Sequence, residues 1–152
     1  PEPIDIDGWT LDVDGEVERP RQFDYEDVTA GVDPTTTQAL IDCTSGWYAD
    51  REWRGVRVGD LLDEAGTTDE ARWVRFVSVT GYRWSLPLAE AQDALLATHV
   101  EGEELTHGHG APLRLVAPGR RGFQWVKWVD RVDVTRRQDL GQWIAIFVSG
   151  FD

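Results

Sequence analysis

The sequence predicts an α+β domain, rich in strands arranged as mixed β-sheets with two or three short helices. Apolar residues fall in short runs separated by Gly, Pro and Asp turns, and only a few stretches carry them at helical spacing. No repeat or low-complexity linker divides the 152 residues, and with 41% hydrophobic and 11% aromatic content the chain can bury a sizeable core. Residues 1–152 are therefore expected to form a single domain.

The elements follow in order. Trp9 to Val17 alternates outward and inward and breaks at Asp14-Gly15, the pattern of a β-hairpin. Tyr25 to Thr29 reads as a helical turn. Gln38 to Cys43 is a brief apolar strand running into Thr44-Ser45-Gly46-Trp47, which sets Cys43 at a strand end. Val58 to Ala65 carries Leu61, Leu62 and Ala65 at helical spacing, and Gly66 supplies a stop. Val74 to Val79 is a strand, and Leu88 to Thr98, preceded by Pro87, reads as a second helix. Leu113 to Ala117, Trp125 to Val129 and Val132 to Val134 are the remaining strands, with Pro118-Gly119 as a turn.

Composition excludes several classes of function. Acids outnumber bases 28 to 15, a formal net charge of -13, so phosphate backbones and anionic lipid surfaces are repelled and nucleic acid is not an expected partner. Lys127 is the only lysine beside fourteen arginines, and seventeen of the acids are aspartates, a balance that resembles proteins of salt-loving archaea. No apolar run is long enough to span a bilayer as a helix, and Trp143 to Val148 is expected to pack as a terminal strand. The chain holds no methionine, so a processed chain or an excised piece is expected, the soluble head of a membrane-anchored or exported protein. One cysteine allows neither an internal disulfide nor a multi-cysteine zinc site.

Four constellations have chemical potential. Cys43 taken alone reads as a buried small hydrophobe. His107-Gly108-His109-Gly110-Ala111-Pro112-Leu113-Arg114 reads either as a solvated loop with a satisfied histidine or as a turn presenting His and Arg to an anion. Pro118 to Val129 combines glycines with Arg120, Arg121 and Lys127, as phosphate cradles do, but lacks the spacing of a nucleotide P-loop. Among the eight tryptophans, Trp47, Trp53, Trp84 and Trp125 fall near these motifs, as core anchors or as walls for a flat heterocycle.

In their order these features resemble the molybdopterin-binding oxidoreductase domain of the sulfite oxidase superfamily. The match runs through Trp9 to Gly15, Cys43 with Gly46-Trp47, Trp53-Arg54-Gly55-Val56, Asp60-Leu61-Leu62 and Ala65-Gly66. It continues through Gly81-Tyr82, Ser85 to Leu88, Leu95-Leu96-Ala97, Gly102-Glu103, His109 to Arg114, Pro118-Gly119 and Val126-Lys127-Trp128-Val129. The resemblance implies the sulfite-oxidase-type fold and a molybdenum-molybdopterin cofactor, with Cys43 as the thiolate ligand of the metal and hence the catalytic centre. A soft sulfur donor suits a metal that cycles between oxidation states. It further implies that His109 and Arg114 hold the pterin and that Trp125, Val126 and Lys127 wrap its phosphate end.

Departures from the pattern narrow the expectation. Thr44-Ser45-Gly46-Trp47 stands where sulfite-oxidising members carry cations, so sulfite is not the expected substrate. Thr80 replaces an acidic residue before Gly81-Tyr82, and no Asn or His segment that would grip the cofactor precedes Trp9. Two functions are thus carried forward. One is an oxidoreductase that moves two electrons or an oxygen atom at molybdenum, on a small-molecule substrate, with a membrane-anchored or haem electron-transfer partner. The alternative is a non-catalytic domain of the same fold acting as a binding module for a redox or membrane partner.

Overall fold

The computed structural model describes residues 2–30, 35–42, 48–118 and 125–138. Among these residues ten strands form two five-stranded sheets. In the first, β1 (Thr10–Gly15) lies between β2 (Arg21–Asp24), antiparallel to it, and β10 (Val129–Thr135), parallel to it; β5 (Trp73–Ser78) and β6 (Arg83–Pro87) complete the order β2-β1-β10-β5-β6. In the second, β3 (Thr35–Asp42), β4 (Tyr48–Arg57), β7 (Leu95–Val100) and β8 (Glu103–Glu104) follow one another, and β9 (Arg114–Val116) pairs with β7. The parallel pairing of two strands so far apart in sequence makes the first sheet mixed, as expected for an α+β domain.

Local chemistry accounts for most of the elements. β1 and β5 alternate half-buried and buried residues, which sends Leu11, Val13, Val74 and Phe76 into the core. The expected hairpin at Asp14-Gly15 forms with β2, through a longer connection in which Val17 makes an isolated bridge to Thr67. The helical turn at Tyr25 is α1 (Tyr25–Ala30). The next helix, α2 (Val58–Ala65), has the predicted bounds: Leu61, Leu62 and Ala65 are buried, and the Gly66 amide closes the last turn by donating to the Leu62 carbonyl at 2.8 Å. No described helix is long and apolar enough to cross a membrane.

Two predicted elements are corrected. The helix expected over Leu88 to Thr98 is only one turn, α3 (Leu88–Ala91), and Leu95 onward is the strand β7. Its first four residues are all buried, and a continuous apolar run carries no period to separate strand from helix. The strand expected over Trp125 to Val129 begins only at Val129. Trp128 has φ +55, a left-handed conformation that no strand tolerates, although Val126 and Val129 still bond Leu115 and Leu113 through their backbones.

β4 positions one of the aromatic anchors. Its register shifts between Arg54 and Gly55, where the strand lies so close to β7 that a Cβ on Gly55 would sit 2.0 Å from the Leu96 carbonyl oxygen. Glycine lets the two backbones meet there, and Trp53, two residues earlier, is left buried.

Candidate cofactor-binding site

The site grows from the loop between β8 and β9. Thr106 starts a single 3-10 turn, His107–His109; its carbonyl accepts from the amides of His109 and Ala111, each at 3.1 Å. Gly110 ends the turn at φ +106. An added Cβ there would lie 2.9 Å from the Cβ of Arg114 and 3.2 Å from the Cβ of Lys127, so glycine is what allows these two cationic side chains to leave the backbone side by side.

Arg114 is buried, 2% exposed, on β9. Its guanidinium carbon lies 5.0 Å from the ring centre of Trp53 and 5.7 Å from that of Trp125, while these two indoles meet edge to face at 5.9 Å. One guanidinium nitrogen donates to the His109 carbonyl at 3.1 Å, tying the 3-10 turn to β9. Aromatic faces and a carbonyl thus offset the cost of placing this charge in the interior. Trp53 and Trp125, expected as core or as walls of a flat ligand, are the walls of this arginine.

The other expected residues gather at the same turn. His109 is exposed, and its Nδ1 shares a 2.7 Å hydrogen bond with the Thr106 hydroxyl. Val126 is buried beside Trp125, and its carbonyl accepts from the Leu115 amide at 2.8 Å. Lys127 is half-buried, with Nζ 5.7 Å from the ring centre of Trp128. His109, Arg114, Trp125, Val126 and Lys127 are therefore brought together, whereas Trp84 belongs to β6 of the other sheet. Cys43 and Trp47, Arg120 and Arg121, and Trp143 to Val148 lie outside the described residues; Asp42 is the last residue of β3. Among the described residues no group of three or more His, Cys, Asp or Glu stands at metal-binding spacing.

Trp128 and Gly110 fell inside motifs of the sequence without being given a role. Trp128 donates its indole N–H to the His107 carbonyl at 2.8 Å, and its ring lies over the His107 imidazole at 5.3 Å between centres. The glycine inside the run of histidines was the only available signal, because a positive φ on a tryptophan leaves no trace in the sequence.

The donor set suits an anionic, partly aromatic ligand: two cations and a backbone turn around Gly110, with indole donors close by. The indole nitrogens of Trp53 and Trp125 are buried and have no acceptor among the described residues. The chemistry of these donors, two cations and these indole N–H groups in a chain of net charge -13, fits a phosphate-bearing pterin.

Comparison with known proteins gives the class of this domain, a cofactor-holding oxidoreductase domain. A family model described as the oxidoreductase molybdopterin binding domain matches residues 1–143, and the chain belongs to that family, whose cofactor is molybdenum-molybdopterin. It is 35% identical over 142 residues to the uncharacterized oxidoreductase YuiH of Bacillus subtilis, covering 91% of this chain and 71% of that protein. It is 31% identical over 162 residues to the protein-methionine-sulfoxide reductase catalytic subunit MsrP of Pseudomonas syringae pv. tomato, covering 94% of this chain and 48% of that protein. Among solved structures, the sulfane dehydrogenase SoxCD of Paracoccus pantotrophus superimposes with a TM-score of 0.84 at 30% identity, over 90% of this chain and 40% of that one. The chain spans about half the length of the MsrP proteins it matches.

Proposed function

We propose that this domain is the catalytic, cofactor-holding part of a molybdenum oxidoreductase that acts on an oxidised sulfur or nitrogen centre of a small molecule, with Cys43 as the thiolate ligand. The observation that carries this reading is that Arg114 and Lys127 both leave the backbone against Gly110, two cations close in space in a strongly acidic protein. When bound, the molybdenum supplies two-electron redox and oxygen-atom exchange; the chain supplies binding, orientation and charge.

Each residue then has a distinct task. Lys127 offers a point charge to the phosphate end, and the His109 turn, held by Arg114 and Thr106, presents its ring and backbone to the pterin. Trp125 and Val126, buried beside Lys127, back the same end. The sulfur chemistry named for MsrP and SoxCD supports a sulfur-centred substrate, and the uncharged Thr44-Ser45-Gly46 argues against sulfite. For a sulfoxide, two electrons and two protons release the sulfide and water, and an electron-transfer partner, haem-bearing or membrane-anchored, is the source of the electrons.

Metal and pterin analysis of protein made in a molybdenum-sufficient host tests the reading against the non-catalytic alternative. Near-stoichiometric molybdenum with a fluorescent pterin oxidation product is the expected result. Molybdenum far below stoichiometric with no pterin would leave a binding module. The Cys43→Ser variant should lose the metal, since a hydroxyl stays protonated near neutral pH and is a harder donor, while folding changes by only about 1 kcal/mol.

A further inference from the structure

Trp128 is a bulky residue held at φ +55, and three contacts surround that conformation. Its indole N–H donates to the His107 carbonyl at 2.8 Å, its ring lies over the His107 imidazole at 5.3 Å and 32°, and the Lys127 ammonium stands 5.7 Å from its ring centre. Its own amide reaches the Gly110 carbonyl at 3.4 Å. A large non-glycine residue in this region persists only where its surroundings hold it there. Here they consist of the 107–110 turn on one side and the adjoining lysine on the other.

We propose that Trp128 is a positioning residue for the anion-binding end of the cofactor site, acting through Lys127, with the His107 turn as the support that fixes the indole. The left-handed step at Trp128 turns the chain so that Lys127 emerges against Gly110 and Arg114, and the indole face fixes where the ammonium sits. The indole N–H meanwhile holds the turn that Arg114 grips from its other end, so turn and lysine keep one spacing. The inference rests on the reading of Lys127 as a phosphate contact.

The test compares pterin affinity of the loaded protein, as fluorescent pterin retained against a dilution series, in Trp128→Gly, Trp128→Phe and Lys127→Ala and in both Trp128 variants combined with Lys127→Ala. Glycine suits the positive φ, so Trp128→Gly should fold, whereas phenylalanine keeps a ring face and loses the N–H donor. The expected result is about a tenfold loss for Trp128→Gly, a smaller one for Trp128→Phe, and less than about a twofold further change when either is added to Lys127→Ala. The dependence of retention on salt should also flatten in Trp128→Gly to that of Lys127→Ala, which a general loss of stability would not produce. Wild-type retention in Trp128→Gly, or equal losses with and without Lys127, would overturn the proposal while leaving the Lys127 reading intact. Wild-type retention in Lys127→Ala would overturn both. If Trp128→Gly fails to fold, the Trp128→Phe pair decides by the same comparison.

Discussion

Arg114 has its charge enclosed by two indoles, and the arrangement makes it more than a counterion. The guanidinium is planar, so it stacks on Trp53 and Trp125 while still donating along its edge to the His109 carbonyl. Arg114→Met keeps the aliphatic volume and loses both the stacking and the donor, leaving a carbonyl without its partner; the expected cost is about 2–4 kcal/mol in urea unfolding. Arg114→Lys keeps the charge but not the plane, and should cost roughly half as much. An unchanged midpoint in Arg114→Met would show that the indoles hold the turn by themselves. The sequence set Arg114 in the histidine loop and Lys127 in the glycine-bearing stretch as two separate constellations, and only the family resemblance joined them around one cofactor. It gave no sign that the arginine would be buried, since burial here depends on Trp53, 61 positions earlier, arriving through the second sheet.

At the scale of elements, legibility followed periodicity. The helix α2 was readable to the residue because a half-buried helix repeats its apolar positions every three or four residues and a glycine closes it. β7 was misread because its apolar run shows no alternation, and β4 was missed because its first part carries Asp50-Arg51-Glu52, where it pairs with β3 alone and β7 joins only from Trp53 onward. The register shift at Gly55 is equally silent in the sequence, yet it joins these two strands and sets the position of Trp53. Gly55→Ala would place a methyl group 2.0 Å from the Leu96 carbonyl oxygen and 2.6 Å from the Ala97 Cα, both backbone atoms that cannot step aside. The expected cost is about 2–4 kcal/mol by equilibrium unfolding. It should be accompanied by red-shifted tryptophan emission as Trp53 loses its shelter. A variant as stable as the parent would mean that the two strands can separate there without penalty.

At the scale of the molecule, a formal charge of -13 must be spread so that the fold does not repel itself, and arginines set between acids do much of this work. Arg131 bonds Asp133 at 2.7 Å and reaches Asp14 at 3.5 Å, Arg75 meets Asp133 at 3.0 Å, and Arg136 meets Glu16 at 2.8 Å. Glu16, bonded by Arg136 and Thr68, has its carboxyl held below the ordinary range, whereas burial, and then Asp12 nearby, push the Asp130 carboxyl above it. The two therefore respond to pH with opposite sign. A lowered carboxyl contributes stability that is present above its unfolded pKa and lost as pH falls through the folded one. A raised carboxyl contributes stability that is present below its unfolded pKa and lost as pH rises through the folded one. Asp130→Asn should thus raise the melting temperature at pH 7, with the gain vanishing below about pH 3, where the native carboxyl is itself neutral. Glu16→Gln should lower the melting temperature at pH 7 and converge with the parent in acid. Melts of the three proteins across that range decide the matter: an Asp130→Asn variant less stable than the parent at pH 7 would mean that the attraction of Arg131 outweighs both burial and Asp12, and that this carboxylate is an asset to the fold.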